Sequence, residues 1–330
     1  MRLAVIGSGG MAQAHIKVLQ DKGFLGKRAD IVALCDPDQK SLDATVKRFP
    51  QLNKANLYNN YEELLEKEEL DAVLIASPHT CHYEQLIGCL EKGLNILVEK
   101  PMVCSVAEAE RVVKLTEEKG VIVMVAYQRR FMPAFLYAKE QISSGKLGKL
   151  LFFTAYQAQN WLPAALYSWR GEPHLSGGGQ INDSGSHLVH AMLWLTEARP
   201  LEVFAYMEKE EARVDILSAL AIKFSDGMLG SVGIIGDNPG WGEEIGVWGK
   251  KGAILIRDGW QVIQQGEDGK YFTPKELPEG KPPIEAFLDC VEGKEDNQVP
   301  PVWGLRVIAL TEAAWRSAEQ GTPIKVEGWR

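Results

Sequence analysis

Three short stretches of this 330-residue chain combine residue types suited to chemistry, and the first is a glycine turn that follows an apolar run ending at Ile6. The turn has the pattern Gly-x-Gly-x-x-Ala, and an amphipathic run follows it. Gly7 permits a tight turn, Gly9 lets backbone approach a ligand, and Ala12 lets a helix pack close to the strand. Because a helix start attracts anionic oxygens, the pattern predicts a site for a dinucleotide pyrophosphate, although an ordinary strand-to-helix turn could also produce it. The predicted contacts are Gly7, Ser8, Gly9, Gly10 and Met11.

An acidic residue stands where a second apolar run, residues 31–34, ends. Asp36 lies some two dozen positions past the glycine turn, where a carboxylate would accept hydrogen bonds from the 2′-hydroxyl of an adenosine ribose. The same carboxylate would repel a 2′-phosphate, and no arginine follows it directly, so the sequence favours NAD over NADP. A helix-capping turn at residues 36–38 is an alternative that is compatible with this role.

The other two stretches could bind and deprotonate a hydroxyl group. Lys100 follows an apolar run at 94–98, and a cation there could hydrogen-bond a reacting oxygen and lower its pKa. Asp183 and His187 stand four positions apart, so in a helix they would share one face. The ordinary pKa of histidine suits a base near neutral pH, and a carboxylate would fix its tautomer. A surface Glu–Lys pair and a capped helix with a satisfied histidine are the structural alternatives.

The elements that must position these residues change character along the chain. Up to residue 126, apolar runs at 72–76, 94–98 and 121–126 alternate with helical patterns at 42–49, 62–67, 83–92 and 105–119. Strands that are apolar on both faces and alternate with helices predict a doubly wound parallel sheet of the Rossmann type. We assign residues 1–126 to a dinucleotide-binding domain.

From residue 127 onward the pattern is that of a meander. Helices are predicted at 133–144 and 302–315, and an exposed loop at 266–283. Short strand patterns are separated by turns such as 225–227 and 257–259, which predicts an α+β domain with a large, mostly antiparallel open sheet over 127–330. The predicted strands lie at 150–154, 201–207, 216–224, 228–235, 244–248 and 253–256.

Composition excludes several classes of protein. Hydrophobic residues make up 45% and charged residues 24% of the chain, as in globular proteins. A net charge of −8 leaves no basic stripe for a nucleic acid, and no apolar stretch approaches the length that crosses a membrane. The first strand begins directly after Met1, which leaves no space for a signal peptide. Five cysteines without a CxxC pair predict reduced thiols, a cytoplasmic location and no metal site.

Taken together, the three stretches resemble the glucose–fructose oxidoreductase/inositol dehydrogenase/MocA family over essentially the whole chain. The resemblance rests on the opening turn, on Glu99-Lys100-Pro101 and on the run Gly-Gly-Gly-Gln-Ile-Asn-Asp-Ser-Gly-Ser-His at 177–187. It implies an NAD-dependent dehydrogenase that moves a hydride between nicotinamide and a secondary alcohol of a sugar, polyol or sugar derivative. It also implies that Lys100 binds the reacting oxygen and that His187, paired with Asp183, is the general base.

The resemblance extends to further cofactor contacts. It places Ser77 and Pro78 at the cofactor together with His82, which we expect to orient that loop rather than to transfer protons. Lys100 would contact the cofactor as well as the substrate, and Glu99 would contact the nicotinamide ribose or cap the turn. Arg129 would contact cofactor or substrate, with a salt-bridged hinge as the alternative.

A segment dense in aromatic residues precedes the glycine run and is predicted to bind substrate. Aromatic faces pack on the C–H side of sugar rings, while arginine and histidine donate hydrogen bonds to hydroxyls. The predicted substrate contacts there are Trp161, Trp169, Arg170 and His174. The glycines at 177–179 would let backbone approach the ligand, and His190 is expected in the core or behind the site.

We also expect the protein to form oligomers, and two alternative functions stay open. The resemblance implies a homodimer or homotetramer joined through an apolar sheet surface, and Trp241, Trp248 and Trp260 fit sheet packing or such a face. One alternative function is a glycosidase that uses transient oxidation by tightly bound NAD. The other is a non-catalytic NAD-binding regulator, against which the presence of Lys100, Asp183 and His187 together argues.

Overall fold

The computed structural model describes residues 1–329, and its contacts divide the chain into two compact units. The first unit contains residues 1–103, 107–127 and 282–304. The second contains residues 104–106, 128–281 and the chain from 305 onward. Each unit is built around one β-sheet, and each is described separately below.

The first unit alternates strands and helices. Its elements are β1 (Arg2–Ile6), α1 (Gly10–Asp21), β2 (Asp30–Cys35), α2 (Gln39–Arg48), β3 (Asn56–Tyr58), α3 (Tyr61–Lys67), β4 (Ala72–Ile75), α4 (His82–Glu91), β5 (Asn95–Val98), α5 (Val106–Lys119) and β6 (Val123–Val125). The strands form a parallel sheet in the order β3-β2-β1-β4-β5-β6, and the central strands are buried on both faces. This order confirms the predicted doubly wound Rossmann-type sheet.

Parallel strands bring their carboxyl ends to one edge of the sheet, and that edge carries the predicted cofactor residues. Because β1, β4 and β5 are adjacent, the turns that follow them are neighbours. These turns begin at Gly7, Ala76 and Glu99. The strand order reverses at β1 and β4, which is where such folds bind nucleotides.

The remaining elements of the chain belong mainly to the second unit, but one helix, at Pro283–Val291, packs with the first unit. The elements are α6 (Pro133–Ser143), β7 (Leu150–Asn160), α7 (Leu162–Tyr167), α8 (Pro173–Ser176), α9 (Ser186–Thr196), β8 (Pro200–Glu208), β9 (Leu217–Phe224), β10 (Leu229–Ile235), β11 (Asp237–Gly249), β12 (Gly252–Arg257), β13 (Gln261–Gln265), β14 (Tyr271–Phe272), α10 (Pro283–Val291), α11 (Pro301–Gln320) and β15 (Ile324–Lys325). Short 3₁₀ helices lie at Pro50–Leu52, His79–Cys81, Gln128–Phe131 and Trp169–Gly171.

The sheet of the second unit has nine strands in the order β14-β13-β12-β11-β7-β10-β9-β8-β15. Among the described strand pairs of this sheet, only β7–β10 is parallel, so the predicted mostly antiparallel sheet is confirmed. Along β7, Phe153 and Ala155 point to the buried face while Tyr156 is exposed. The sheet therefore has one covered and one open face.

The structure differs from the predicted elements in a few places. Strand β7 runs to Asn160, beyond the predicted end at residue 154, because Gln157 occupies an inward position and breaks the apolar alternation there. The short strands β3, β13, β14 and β15 and the helices α7, α8 and α10 were not predicted, and β14 lies within the predicted loop at 266–283.

The division into units also differs from the predicted boundary at residues 126 and 127, because residues 282–304 pack with the first unit. Helix α10 is tied to the first unit by ion pairs from Lys22 to Glu285, at 2.5 Å, and from Arg28 to Asp289, at 2.7 Å. The Val125 N–H donates to the Val299 carbonyl at 3.0 Å, which attaches this returning segment to the β6 edge of the sheet. Over residues 1–329, no helix is both long and apolar enough to cross a bilayer.

Candidate active site

Two glycines of the turn after β1 have different surroundings. Packing within the protein requires glycine at the first position, whereas the space beside the second is open. Gly7 has a φ of +90°, and a Cβ there would lie 2.6 Å from the Ala76 carbonyl. At Gly9, by contrast, a Cβ would meet nothing within 4 Å. The first turn of α1 carries no acidic side chain, so its N–H groups remain attractive to an anion. This arrangement fits a pyrophosphate at the start of α1.

Asp36 lies directly beside this turn. Its Oδ2 accepts a hydrogen bond from the Ser8 N–H at 2.8 Å, and its Oδ1 accepts one from the Asp38 N–H at 2.9 Å. The Ser8 hydroxyl oxygen is buried and has no hydrogen-bond partner among the described residues. A carboxylate and a hydroxyl thus stand at the place where a dinucleotide's ribose and phosphate would lie. The donor set fits NAD.

His82 was predicted among the cofactor contacts, and the structure places it underneath the loops instead. Its side chain is 0% exposed, with Nδ1 2.9 Å from the Pro101 carbonyl oxygen and Nε2 3.0 Å from the Ser77 carbonyl oxygen. Burial lowers the pKa of the His82 imidazole against the opposing effect of these two carbonyls. A ring in this position can join the turns after β4 and β5, but it cannot itself reach a ligand.

Glu99 is likewise buried. Its Oε1 lies 2.7 Å from His15 Nε2, and its Oε2 accepts a hydrogen bond from the Lys100 N–H at 3.3 Å. Burial raises the pKa of the Glu99 carboxyl, but the hydrogen bond and charge of His15 outweigh it and hold the pKa below its ordinary value. These contacts fit the turn-capping alternative rather than a ribose contact. Sequence reasoning missed His15, whose signal was a histidine on the buried face of α1.

Lys100 follows Glu99 and is partly exposed, unlike the buried residues on either side of it. The Lys100–Pro101 peptide bond is cis. Lys100 therefore stands at the carboxyl end of β5, on the same sheet edge as the glycine turn. An ammonium group at this edge is well placed to donate to a bound molecule.

In the second unit, Asp183 lies in a turn before α9, so the helix that was considered for residues 183–187 begins only at Ser186. The Ser186 hydroxyl donates to the Asp183 carbonyl at 2.7 Å and fixes this junction. The Asp183 Oδ2 accepts hydrogen bonds from Arg170 Nε at 2.7 Å and from Trp161 Nε1 at 3.2 Å. His187 is the second residue of α9 and is partly exposed. The segment thus presents an oriented carboxylate and an accessible imidazole four residues apart.

Packing within the protein requires glycine at two positions of the run before Asp183. A Cβ on Gly178 would lie 2.4 Å from the Trp315 ring, and a Cβ on Gly179 would lie 2.3 Å from the Asp215 backbone. The Asp215 carboxylate accepts hydrogen bonds from the N–H groups of Gly179, at 3.1 Å, and Ile181, at 2.9 Å. This carboxylate, which sequence reasoning missed, holds the backbone that leads to Asp183.

The predicted substrate residues divide into two groups. Trp161 is buried in a small core with Val214 and Ile216, so it supports Asp183 and is not a surface for a sugar. Trp169 and Arg170 are partly exposed, with the guanidinium 4.5 Å from the indole centroid, and His174 is exposed. The structure therefore brings Trp161, Trp169 and Arg170 together around Asp183.

Arg129 forms a salt bridge, which is the structural alternative that the sequence analysis considered for it. Its side chain is buried and forms an ion pair with Glu243, which also accepts a hydrogen bond from Gln157 at 3.1 Å. This ion pair agrees with the salt-bridged alternative. A second guanidinium nitrogen, Arg129 Nη1, is buried and has no hydrogen-bond partner among residues 1–329, so the predicted ligand contact stays a prediction.

His190 is fully buried on α9 and stacks on Trp194, with ring centroids 6.3 Å apart. Burial and the nearby charges of Arg130 and Arg129 hold the pKa of the His190 imidazole well below its ordinary value. Within residues 1–329, no cluster of three or more His, Cys, Asp or Glu side chains could hold a metal ion.

The buried His190 gives the fold a pH dependence. The unfolded chain takes up a proton at this histidine near pH 6.5, whereas the folded chain does not, so stability falls as the pH drops below that value. We expect wild type to lose about 2 kcal/mol more than His190→Leu between pH 7 and pH 5, measured by urea unfolding. Equal losses in the two proteins would contradict this assignment.

Comparison with known proteins places these features in a family. The family model of the oxidoreductases with an NAD-binding Rossmann fold matches residues 1–127, and the model of the GFO/IDH/MocA C-terminal domain matches residues 135–255. The rhizopine catabolism protein MocA of Rhizobium meliloti is 30% identical over 60% of this chain, which spans 58% of that protein's length. Inositol 2-dehydrogenase of Rubrobacter xylanophilus is 25% identical over 98% of this chain and 93% of its own.

A solved structure extends the likeness to the whole fold. The WlbA dehydrogenase from Bordetella pertussis, in complex with NADH and UDP-GlcNAcA, superimposes with a TM-score of 0.83 and 23% identity over 98% of each chain. At that identity the likeness concerns the fold alone. Since the two family models together match well over half of its residues, the chain belongs to the glucose–fructose oxidoreductase/inositol dehydrogenase/MocA family, whose first domain is an NAD-binding Rossmann fold.

Proposed function

We propose that this protein is an NAD-dependent oxidoreductase that transfers a hydride between a secondary alcohol of a sugar, polyol or sugar derivative and nicotinamide. The observation that carries the proposal is the position of Lys100. It is a partly exposed ammonium at the carboxyl end of β5, on the sheet edge that also carries the glycine turn and Asp36. A cofactor that accepts electrons and a cation that binds oxygen are the two requirements of carbinol oxidation.

Lys100 would bind the reacting oxygen. Its ammonium donates a hydrogen bond to the hydroxyl and stabilises the negative charge that develops there as the proton leaves. Glu99 holds the Lys100 N–H, and His82 holds the Pro101 carbonyl, so the turn that carries the ammonium is fixed on both sides. Because the donor is already held in place, little free energy is needed to reorient it as the charge develops.

His187 would remove the hydroxyl proton. Histidine suits this role because its ordinary pKa lies near neutral pH. Asp183, in the turn before α9, would orient the imidazole and stabilise its protonated form. Arg170 and Trp161 donate to Asp183 and keep that carboxylate fixed.

The cofactor would be held by the turn after β1 and by the neighbouring strand ends. Gly9, Gly10 and Met11 are exposed at the start of α1, where N–H groups bind phosphate oxygens. Asp36 would accept from the adenosine ribose, and Ser77 and Pro78 would line the next turn. When bound, NAD supplies the carbon that accepts or returns the hydride.

A polyhydroxylated substrate is supported by the residues around Asp183 and by the relatives. The Arg170 guanidinium lies over the Trp169 ring, and His174 is exposed nearby in sequence, which offers an aromatic surface and hydrogen-bond donors. Inositol 2-dehydrogenase of Rubrobacter xylanophilus is similar to this chain over nearly its whole length. We therefore place inositols and sugars first among candidate substrates.

A screen for reduced cofactor tests the proposal. Purified protein is incubated with NAD or NADP and with inositols, aldoses, anhydrosugars and glycosides, and absorbance at the wavelength of NADH is followed. We expect steady NADH formation with at least one free polyol or sugar, and slower reduction of NADP. Cleavage of a glycoside without net NADH would identify the glycosidase alternative. NADH binding without turnover of any compound would identify the regulator.

We also propose that the protein forms homodimers or homotetramers through the open face of the nine-stranded sheet. Large apolar side chains stand on that face, with Tyr206 of β8 at 69% exposure and, on the adjacent strands β7 and β10, Tyr156 at 45% and Leu229 at 48%. Contiguous exposed apolar surface on a sheet usually marks an interface. Light scattering is expected to give two or four times the 36.6 kDa chain mass, and Tyr206→Arg to shift it toward one. A monomeric wild type would reject this proposal.

The proposed location is the cytoplasm. No disulfide links any of the five cysteines within residues 1–329, as expected of thiols in a reducing compartment. Cell fractionation tests this directly, since an extracellular protein would be recovered outside the cytoplasmic fraction.

A further inference from the structure

A buried contact joins the helix of the glycine turn to the turn of Lys100. His15 lies in the second turn of α1, and its Nε2 is 2.7 Å from the Oε1 of Glu99. Both side chains are about nine-tenths or more buried, at 6% and 7% exposure. The two residues are 84 positions apart in sequence, so this bond is tertiary. It connects the helix whose N-terminus fits the pyrophosphate with the residue that precedes the proposed oxygen-binding lysine.

The second carboxylate oxygen of Glu99 contacts Lys100, so one carboxylate links His15 and Lys100. Oε2 accepts a hydrogen bond from the Lys100 N–H, while the Glu99 N–H donates to the Ile75 carbonyl at 2.9 Å. The carboxylate is thus held between an imidazole and a backbone N–H, and it can rotate only if one of these bonds breaks. His82 holds Pro101 on the other side of the same turn.

We propose that His15 is a positioning residue that sets the orientation of the Lys100 turn relative to α1, acting through Glu99. The role of Lys100 in this statement rests on the proposed function. Because His15 does not touch the ligand, its removal affects how the ammonium is aimed rather than how the cofactor binds. Misplacement of a reacting group by about 1 Å can lower turnover by roughly 100-fold.

The experiment compares three variants of the full-length protein. His15→Phe keeps a planar ring but removes the donor to Glu99, whereas His15→Gln offers an amide N–H near the position of Nε2. Leu19→Ala is the matched control, because Leu19 is a buried residue one turn along α1 whose apolar side chain can offer Glu99 no hydrogen bond. It lowers stability by opening a cavity in the same helix face without altering the turn.

We expect His15→Phe to lower kcat by about 10- to 100-fold, with the KM for NAD changed by less than about threefold. His15→Gln should restore most of kcat, and Leu19→Ala should lower the melting temperature with kcat nearly unchanged. Equal kcat values in His15→Phe and Leu19→Ala would overturn the proposal, because the pair would then only stabilise the fold. If His15→Phe does not fold, His15→Asn is measured instead, since its amide is too short to reach Glu99.

Hydrogen exchange of the segment 98–103 provides a readout that does not depend on activity. The Lys100 N–H should exchange at least about tenfold faster in His15→Phe than in wild type, and His15→Gln should restore its protection. If exchange responds in this way but the wild type oxidises no carbinol, the positioning contact stands and the proposed function fails. Unchanged exchange in His15→Phe would reject the contact's role directly.

Discussion

Lys100→Met is expected to lower kcat for oxidation of the secondary alcohol by about 10²- to 10⁴-fold. Methionine has nearly the length of the lysine side chain but offers no hydrogen-bond donor, so the alkoxide that develops on the substrate would lose its stabilising charge. The surrounding turn is held by Glu99 and His82 through the backbone, which the substitution leaves in place. Steady-state kinetics with the best substrate from the screen provides the measurement.

Two controls distinguish lost chemistry from lost binding or folding. NADH affinity, measured by fluorescence titration, should change by less than about threefold, because the main proposed partner of the ammonium is the reacting oxygen of the substrate, which is absent from this measurement. Lys92→Met is the matched variant, since Lys92 is exposed at the end of α4, and it should behave as wild type. A Lys100→Met protein with kcat within about tenfold of wild type would refute the assigned role.

His187→Ala is the second substitution with a large expected effect, a fall in kcat of about 10²- to 10⁴-fold. The variant removes the proposed base from the second residue of α9, where the side chain is partly exposed and alanine is well tolerated by the helix. Without the base, the acidic limb of the pH profile of kcat/KM should flatten, because that limb reports protonation of the base.

External imidazole separates a catalytic loss from a structural one. Added imidazole can enter the space left by the ring and accept the proton, so it should restore part of the activity of His187→Ala and leave wild type unchanged. A variant that keeps near-wild-type turnover while folded would show that another group is the base. A loss that imidazole cannot restore, together with a lowered melting temperature, would indicate that His187 acts on the fold.

The first unit was predictable because local pattern and tertiary setting agree along its length. Its central strands are buried on both faces, so they appear in the sequence as continuous apolar runs, whereas the short exposed strand β3 does not. The glycine turn supplies a φ that only glycine adopts readily. The predicted strand and helix positions there differ from the observed ends by only a few residues.

The second unit was predictable where turns are specified locally and less so elsewhere. Gly227 and Gly259 have φ values of +87° and +81°, and the residues around them indicated the turns that they make. Strand β14 has two residues and no periodicity, so nothing in its composition marks it. The return of residues 282–304 to the first unit depends on long-range packing that composition does not reveal.

The residues of the candidate site were predictable as types, but their partners were not. Lys100 and Asp36 stand at strand ends, which the sequence indicates. The contacts between His15 and Glu99 and between Arg129 and Glu243, however, span 84 and 114 positions. Such pairs form only when the fold is assembled, so the sequence could not decide between a ligand contact and a salt bridge for Arg129, and it gave no sign of the role of His15.

Isotope transfer tests the central claim most directly. The protein is incubated with NAD and with a polyol or sugar deuterated at its carbinol carbons, such as fully C-deuterated myo-inositol or glucose, and the reduced cofactor is analysed by mass spectrometry. We predict that reduced cofactor accumulates one mass unit heavier than NADH, and that Lys100→Met abolishes its formation. A wild-type protein that binds NAD but forms no deuterated NADH from any substrate active in related dehydrogenases would contradict the account.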